Sequence, residues 1–342
     1  MKARQAGTSN SSSVLISACM IVKNEAANLP RCLQSIEAFV DELSIVDTGS
    51  DDETMDIARS FGAKVWREPW QDDFSLHRNQ SLERATGKWL FVIDADEEVV
   101  ETDFDETRRF LDKVVKEPVA MVMEKLLLAD GTSQLVVLPR LIRAGAGIYY
   151  HKPIHEQLTA CEDFQARLSN VRMVHHGYLT REQTVAKQQR NLEIAMILGD
   201  DLHGLHSQLR ACLTLDRLEQ AVEVAHNLLA TDLSPGLAQE CCAMGGAAAV
   251  RSGNGDELRS LVEISKTLGD PTPDLALLEF LEAGMRYAAV VEEYGADDTQ
   301  IAHLRAPVFR HNLPGIKGLI GHLGGALRGA SKTSNDHEER QP

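Results

Sequence analysis

Two aspartates stand at alternate positions directly after an apolar run, and their spacing suits metal chemistry. The run Trp89–Ile93 has the length and composition of a buried strand, and Asp94 and Asp96 follow it. Carboxylate oxygens suit Mg²⁺ or Mn²⁺, which keep coordination positions open for phosphate oxygens. Because Asp-x-Asp also arises by chance in acidic chains, the preceding strand carries the argument. The alternative is a carboxylate that caps a helix after the strand.

A second polar cluster lies in the segment His151–Glu156. Glu156 is our candidate general base, since a carboxylate can take the proton of an attacking hydroxyl. His155 is a candidate contact to substrate or phosphate. A zinc protease is not indicated, because the second histidine of a His-Glu-x-x-His motif would stand where the chain has Thr159. The alternative is a loop with a structural salt bridge.

Two further groups offer an imidazole and a pair of cations. His175 and His176 follow a short apolar run, and adjacent strand residues point to opposite faces, so at most one reaches a common site. We expect His176 to be a metal ligand through its neutral imidazole. Lys187 and Arg190 stand three apart on a predicted helix and therefore share a face. We expect them to clamp a diphosphate; the alternative is a solvated helix face.

The elements that must position these side chains alternate between short apolar runs and amphipathic stretches. Strands are predicted at residues 15–22, 43–46, 65–66 and 89–93, with helices between them. This alternation favours a parallel, Rossmann-like sheet. Ligands of such sheets bind beyond the carboxyl ends of the strands, so the polar stretches 23–25 and 47–50 join the aspartates as site candidates. No Gly-x-Gly-x-x-Gly follows the first strand, which argues against a dinucleotide enzyme.

The second half of the chain changes character. Strands are predicted at 119–128 and 135–138 around a turn at Asp130–Gly131, and the pattern is helical from Thr184 to about residue 292. Residues 217–230 and 256–268 look related at a period near forty residues, with Ala221-Val222-Glu223 resembling Leu261-Val262-Glu263. This similarity indicates a tetratricopeptide-like repeat; an ordinary helical bundle is the alternative. The predicted division is a tail at 1–13, an α/β domain at 14–183, a helical domain at 184–300 and a tail at 301–342.

Composition and charge limit the classes of function. The 342 residues include 35 Lys and Arg against 51 Asp and Glu, a formal net charge of −16. A nucleic-acid binder is therefore not indicated, and a phosphorylated ligand must be held by local basic groups or a metal. The hydrophobic fraction of 43% excludes wholesale disorder. Six cysteines without a Cys-x-x-Cys pair indicate buried thiols in a reducing compartment, and no apolar stretch reaches eighteen residues, so we expect a cytoplasmic protein.

The last segment is locally basic. Residues 301–335 contain five Lys and Arg side chains and no acid, and 313–327 is apolar, glycine-rich and amphipathic. We expect this segment to contact anionic lipid at the inner face of the membrane, or a partner. A solvated tail is the alternative.

Four stretches, in their order and spacing, make the chain recognisable. They are Met20-Ile-Val-Lys-Asn-Glu25, Val46-Asp-Thr-Gly-Ser-Asp-Asp52, Phe74-Ser-Leu-His-Arg-Asn79 and Trp89-Leu-Phe-Val-Ile-Asp-Ala-Asp-Glu-Glu98. With them, residues 15–195 resemble the family 2 glycosyltransferases of the GT-A fold. The wider chain is similar to a bacterial branch that includes lipopolysaccharide core glucosyltransferases and peptide glycosyltransferases, some of which carry helical repeats after the catalytic domain.

The resemblance implies roles for matching positions. Asp47 would read the nucleotide base, usually uracil; Asp94 and Asp96 would form the metal and diphosphate motif; Arg78 would approach the base or phosphates. Many members have two aspartates where this chain has Asp47-Thr48, which leaves one base-reading acid. Together with the two helical cations, the expected nucleotide-sugar contacts are Val22, Asn24, Glu25, Asp47, Gly49, Ser50, Arg78, Asp94, Ala95, Lys187 and Arg190. The expected metal ligands are Asp94, Asp96 and His176, and the expected catalytic pair is Glu156 and His155.

The implied reaction is inverting transfer of a sugar from a nucleotide donor, most often UDP-linked, with Mg²⁺ or Mn²⁺ as cofactor. The acceptor would be a saccharide, a lipid-linked saccharide such as a lipopolysaccharide core, or a peptide. The Gln-to-Arg-Trp motif of processive synthases is absent, which argues against polymerisation. One alternative is a nucleotidyltransferase, although Ser17–Glu25 lacks a glycine-rich activating loop. Another is an inactive domain whose helices bind a partner protein, although Asp94 and Asp96 are intact.

Overall fold

The structure, a computed structural model, describes residues 14–113, 115–159, 166–268, 278–279 and 281–282. The chain divides into two compact units, residues 1–187 and 188–342. The predicted tails at 1–13 and 301–342 lie outside the described residues.

The first unit combines strands and helices in the order that the sequence pattern predicts. Its strands are β1 (Ile16–Val22), β2 (Glu42–Asp47), β3 (Lys64–Arg67), β4 (Trp89–Val92), β5 (Glu97–Val100), β6 (Val119–Leu128), β7 (Ser133–Arg143), β8 (Tyr150–His151), β9 (Gln157–Leu158) and β10 (Ala166–Tyr178). Its helices are α1 (Leu29–Ile36), α2 (Thr54–Ser60), α3 (Phe74–Glu83) and α4 (Phe104–Lys113), and α5 (Arg181–Leu198) continues into the second unit.

Eight strands form one mixed sheet in the order β3-β2-β1-β4-β7-β6-β10-β5. Strands β3, β2, β1 and β4 run parallel, so the carboxyl ends of β1, β2 and β4 lie at one edge. The antiparallel hairpin β6–β7 is inserted between β4 and β10, and β8 and β9 pair separately. This insertion brings side chains from residues 120–180 to the same edge as the first four strands.

The core of this unit forms because the central strands are apolar on both faces. All but one residue of β1 are buried, as are all of β4. Helix α1 buries Leu29, Cys32, Leu33 and Ile36, a spacing of three and four residues that places them on one face. Trp89, Phe39 and Phe91 are the largest fully buried side chains, and the two phenylalanine rings meet edge-on at 5.5 Å.

A buried carboxylate ties together the opposite, amino-terminal edge of these strands. The Glu42 side chain is 6% exposed and accepts hydrogen bonds from Lys64 Nζ at 2.6 Å, Thr86 N at 2.7 Å and Ser17 Oγ. Burial alone would raise the pKa of Glu42, but these donors outweigh it and lower the pKa to about 2. The charged form is therefore part of the folded state.

The second unit is helical where it is described. Helices α6 (Leu202–Thr214), α7 (Leu218–Leu229), α8 (Pro235–Arg251) and α9 (Gly255–Thr267) follow one another with short connections, and each packs against the next. Ala221 and Val222 of α7 and Leu261 and Val262 of α9, the positions whose similarity predicts a repeat, are buried. In the described parts of the chain no helix combines the length and apolarity that crossing a membrane requires. The predicted mixed α/β sheet flanked by helices and followed by an all-α region is confirmed for the described residues, while the repeat character of the helical region stays a prediction.

Candidate active site

Asp47 is the last residue of β2, and only one of its two carboxylate oxygens accepts hydrogen bonds in the described structure. Oδ1 accepts hydrogen bonds from the backbone of Gly49 at 3.1 Å and Ser50 at 3.0 Å. Gly49 has φ +116°, a conformation that favours glycine, so this turn needs that residue. Oδ2 is buried and has no hydrogen-bond partner in the described structure. A buried acceptor without a donor is costly, so this oxygen is suited to receive an N–H group of a ligand.

The loop after β1 is fastened to the loop after β2. Asn24, at φ 55°, donates its backbone N–H to Ser50 Oγ at 2.9 Å, and its own Oδ1 accepts from Asp51 N at 2.9 Å. Glu25 N donates to Thr54 Oγ1 at 2.7 Å. The stretches that the sequence selects after the first two strands therefore form one connected surface beside Asp47.

Asp94 follows β4 and is held by two arginines. Arg78 on α3 donates from Nη1 and Nη2 to the two Asp94 oxygens at 2.8 and 3.0 Å, a bidentate pair, and Arg140 Nη1 lies 3.6 Å from Oδ2. Burial would raise the pKa of Asp94, but the charges of Arg78 and then Arg140 hold it well below its usual value. Asp94 is therefore a permanent anion in the folded protein.

Arg78 also holds the predicted base. Its Nε lies 2.5 Å from Glu156 Oε1, so a single guanidinium joins the Asp-x-Asp motif to the loop that carries Glu156. The next residue, Asn79, exchanges two hydrogen bonds of 2.8 Å with the backbone of Tyr150 on β8. Phe74 N donates to Pro153 O at 2.8 Å. Helix α3 thus fixes the β8–β9 hairpin against the carboxyl end of β4.

Asp96 lies two residues further on, among cations. Lys187 Nζ donates to Asp96 Oδ2 at 2.7 Å, and His175 Nε2 is 3.3 Å from the same oxygen. Burial opposes ionisation, but the hydrogen bond and charge of His175 and the charge of Lys187 lower the pKa of Asp96 to about 2. Gly177 makes this approach feasible, because a Cβ there would overlap Asp96 Oδ2 and Lys187 Nζ.

The register of β10 decides which histidine reaches Asp96. His175 shares a face with buried Met173, and its Nδ1 lies 2.9 Å from Glu124 Oε1. His176 points to the other face, where its Nε2 lies 3.1 Å from Glu98 Oε2. The sequence argument that one histidine at most reaches the site agrees with this arrangement, but the residue beside Asp96 is His175 and not the expected His176.

Three buried charged residues of the site are absent from the sequence-based candidates. Arg140 contacts Glu97 Oε1, and its Nη2 is 3.5 Å from Glu124 Oε2; the two glutamates are 0% and 1% exposed. Burial raises the pKa of Glu97 to about 8, with Asp94 and Glu124 adding to the effect and Arg140 opposing it. The available signal was a charged residue inside an otherwise apolar strand, as with Glu124 in β6 and Arg140 in β7.

The remaining predicted site residues differ in burial and in their contacts. Val22 and Ala95 are buried, and burial raises the pKa of Glu25, whose carboxylate accepts from Asn28 at 2.8 Å. His155 is exposed on the β8–β9 loop. Arg190 belongs to the second unit and is exposed. Its role as a phosphate clamp stays a prediction.

The donor set fits a divalent cation. Asp94 and Asp96 offer carboxylate oxygens, the ligands that Mg²⁺ and Mn²⁺ prefer. Burial opposes protonation of His175, but its hydrogen bonds to Asp96 and Glu124 raise its pKa to about 10, so at neutral pH it is a cation beside Asp96 and offers no lone pair to a metal. A second group, Glu97, Glu124 and His175, has ligand atoms within 4.8 Å of one another, and Arg140 contacts both of its glutamates. Both groups are engaged by basic side chains in this structure, since Arg78 holds both Asp94 oxygens and Lys187 holds Asp96. Asp94 and Asp96 are the candidate pair because they stand at the carboxyl end of β4, and Arg78 and Lys187 are the side chains that must move to admit a cation there.

Comparison with known proteins places these motifs among glycosyltransferases. Residues 17–143 match the model of glycosyl transferase family 2. A TPR repeat-containing protein of Synechococcus elongatus is 43% identical over 141 residues, which cover 41% of this chain and 34% of that protein. The SPbeta prophage-derived glycosyltransferase SunS of Bacillus subtilis is 26% identical over 206 residues, covering 55% and 46%. The match thus spans between a third and a half of the length of these relatives.

Solved structures with a similar course of the chain include S. aureus TarS (residues 1–349) in complex with UDP-GlcNAc. That structure is 16% identical at a TM-score of 0.43, and the match covers 80% of this chain and 92% of that chain. Glucosyl-3-phosphoglycerate synthase from Mycobacterium tuberculosis, in complex with Mn²⁺, UDP and glucosyl-3-phosphoglycerate, is 23% identical at a TM-score of 0.27 over 33% of this chain and 44% of that chain.

Proposed function

We propose that this chain, whose residues 17–143 form a glycosyl transferase family 2 domain, moves a sugar from a nucleotide donor to an acceptor hydroxyl. The match of residues 17–143 to this family's model includes the four stretches on which the sequence resemblance rests. The observation that carries the proposal is the Arg78 bridge. A single buried guanidinium pairs with Asp94 of the donor motif and with Glu156, the candidate base, so the two halves of a transfer site are joined.

The nucleotide would lie across the carboxyl ends of β1 and β2. The unpartnered Oδ2 of Asp47 suits the N3–H of a uracil, which supports a UDP-linked donor. The diphosphate would extend toward Asp94 and Asp96, where a divalent cation, when bound, would neutralise phosphate charge. Asp94 and Asp96 would hold that cation. Of the two histidines, His175 is the one beside Asp96, and it would meet the bound phosphates as a positive charge.

Glu156 would take the proton of the acceptor hydroxyl. Its Oε1 is engaged by Arg78, while no described hydrogen bond engages Oε2. As the acceptor oxygen forms its bond to the anomeric carbon, the bond from that carbon to the diphosphate breaks, and the hydroxyl proton passes to Glu156. Attack from the face opposite the leaving group inverts the anomeric configuration. Lys187, released from Asp96, would face the charge that develops on the diphosphate.

The proposal is tested by donor binding and by removal of one motif acid. Thermal shifts with a panel of nucleotide-sugars, with and without Mn²⁺, should identify the donor, because a ligand at 100 times its Kd stabilises by about 2.7 kcal/mol. Asp96→Ala should abolish release of the nucleoside diphosphate in the presence of acceptor while the protein stays folded. Asp56→Ala, an exposed acid on α2, is the matched control and should retain activity. Metal-dependent turnover in Asp96→Ala would contradict the assignment, and absence of donor binding would favour an inactive domain.

The proposal extends to the acceptor and to the place of the reaction in the cell. We propose single-sugar addition to a saccharide, a lipid-linked saccharide or a peptide, in the cytoplasm or at the inner face of the membrane, with lipopolysaccharide core assembly as one setting. The helical second unit would present a peptide or protein partner if its repeat character holds.

A further inference from the structure

The hairpin β8–β9 carries a lysine and two histidines beside the candidate base. Tyr150 pairs with Leu158 and His151 with Gln157, so Lys152 to Glu156 form a five-residue loop. Two residues of this loop adopt left-handed backbone conformations without being glycine: Lys152 at φ 72° and His155 at φ 48°. Such conformations are unfavourable for long or branched side chains and concentrate at binding sites.

The loop is held in a defined position. Glu156 is bound by Arg78, Pro153 O accepts from Phe74 N at 2.8 Å, and Ile154 is 1% exposed. The strand at the start of the loop is clamped by Asn79 through two hydrogen bonds. The backbone of Lys152 is therefore held in a fixed position, and the contacts around the loop offset the cost of its strained conformation.

The charges of this loop are unbalanced. Between Tyr149 and Gln157 the chain has one acid, Glu156, and Arg78 already pairs with it. Arg78, Arg140 and Lys187, the cations near the donor motif, all have acidic partners. Lys152, which is half-buried, has none among the residues that the structure describes, and His151 Nδ1 is buried without a hydrogen-bond partner. In a chain of net charge −16, an unpaired and partly buried lysine is a site for an anion.

We propose that the acceptor carries an anionic group, a phosphate or a carboxylate, near its attacking hydroxyl, and that Lys152 and His151 bind this group. The inference rests on the proposed function, since it concerns the acceptor of that reaction. Lys152 is the first residue of this short loop and Glu156 is the last. An acceptor hydroxyl held at Glu156 would therefore place a neighbouring anionic group within reach of the lysine side chain. The other source of an anion is the donor diphosphate, which already has Arg78, Arg140 and Lys187 around its motif.

Inorganic phosphate is the probe, because it requires no knowledge of the acceptor. Phosphate is titrated into the full-length protein saturated with UDP and Mg²⁺, and its ³¹P line width is followed. Because UDP occupies the diphosphate site under these conditions, broadening of the inorganic phosphate resonance would report a second anion site. Lys152→Gln should weaken phosphate binding roughly 10- to 100-fold, Lys152→Arg should retain most of it, and the Kd for UDP should not change. Lys125→Gln, at an exposed lysine on β6, is the control and should bind phosphate like the natural chain.

The variant Lys152→Gly separates charge from backbone strain, since glycine adopts the left-handed conformation freely. It should lose phosphate binding as Lys152→Gln does while being no less stable than the natural chain. In transfer assays, Lys152→Gln should raise KM for monosaccharide 6-phosphates or uronates and leave KM for the matching neutral sugars unchanged.

Three results overturn the inference. One is the absence of phosphate binding to the UDP-saturated protein, and another is phosphate binding that Lys152→Gln leaves intact. The third is an equal loss of UDP affinity in Lys152→Gln, which would assign the lysine to the donor. If UDP itself does not bind with Mg²⁺, the proposed function fails first, and that outcome is distinct from all three.

Discussion

Glu42 offers a quantitative test of how the sheet is held together. Its carboxylate joins β1, β2, β3 and the segment before β4 through Ser17, Lys64 and Thr86. The pKa is lowered from 4.5 to about 2. At 1.36 kcal/mol per pH unit, this difference corresponds to about 3 kcal/mol of folding free energy. Because the folded-state pKa is the lower one, the contribution is complete above about pH 4.5 and disappears as the pH falls through 2.

The perturbation is Glu42→Gln, which removes the charge and keeps the shape. At pH 7 the variant should lose about 3 kcal/mol of unfolding free energy, and this difference should shrink between pH 4.5 and pH 2. Urea unfolding followed by tryptophan fluorescence suits the assay, because Trp66, Trp70 and Trp89 all lie in the first unit. Other acids of the natural chain also titrate in this range, so the difference between the two proteins is the quantity to compare.

The control for Glu42→Gln is Glu37→Gln, at an exposed glutamate after α1, which should change the unfolding free energy by no more than about 0.5 kcal/mol. If Glu42→Gln were as stable as the natural chain at pH 7, the reasoning would be wrong. A loss that stayed constant down to pH 2 would also refute it, since the effect would then come from shape and not from charge.

Two further predictions concern the active site. Glu156→Gln should keep the affinity for the donor and lower the rate of transfer by ~10²–10⁴-fold, because only proton removal is lost; an unchanged rate would exclude Glu156 from the mechanism. Gly177→Ala should push Lys187 away from Asp96 and cost about 2 kcal/mol of unfolding free energy in metal-free buffer, the scale of a charge-assisted hydrogen bond. Equal stability of Gly177→Ala in urea titrations would show that the two side chains accommodate the methyl group.

The structure also shows how an acidic protein holds basic side chains beside the acids at its strand ends. Arg78, Arg140 and Lys187 are each paired with carboxylates in the folded chain. Against burial, Arg78 and Arg140 hold the pKa of Asp94 below its usual value, and His175 and then Lys187 do the same for Asp96. Buried ion pairs of this kind are not a source of stability by themselves, since desolvation offsets the attraction. Their value here is positional, because they keep charged groups aligned before the ligand arrives.

The sequence by itself determined the elements and the strand-end acids. The apolar runs at β1, β2 and β4 were long enough to predict buried strands, and parallel strands of this class carry ligands at their carboxyl ends. That placed Asp47, Asp94 and Asp96 together without knowledge of the coordinates. Hydrophobic periodicity is a local property, so it could be read from neighbouring residues alone.

Tertiary structure alone decided the partners of those acids. Which of two adjacent histidines reaches Asp96 depends on the register of β10 against β6 and β5, and a shift of one residue would exchange His175 and His176. Arg140 enters the site because β7 pairs with β4 in antiparallel orientation, and Arg78 does so because α3 packs on both the sheet and the β8–β9 hairpin. These pairings join residues 16 to 91 positions apart in the chain. Local pattern carries no information on such contacts, because they are set by how whole elements pack.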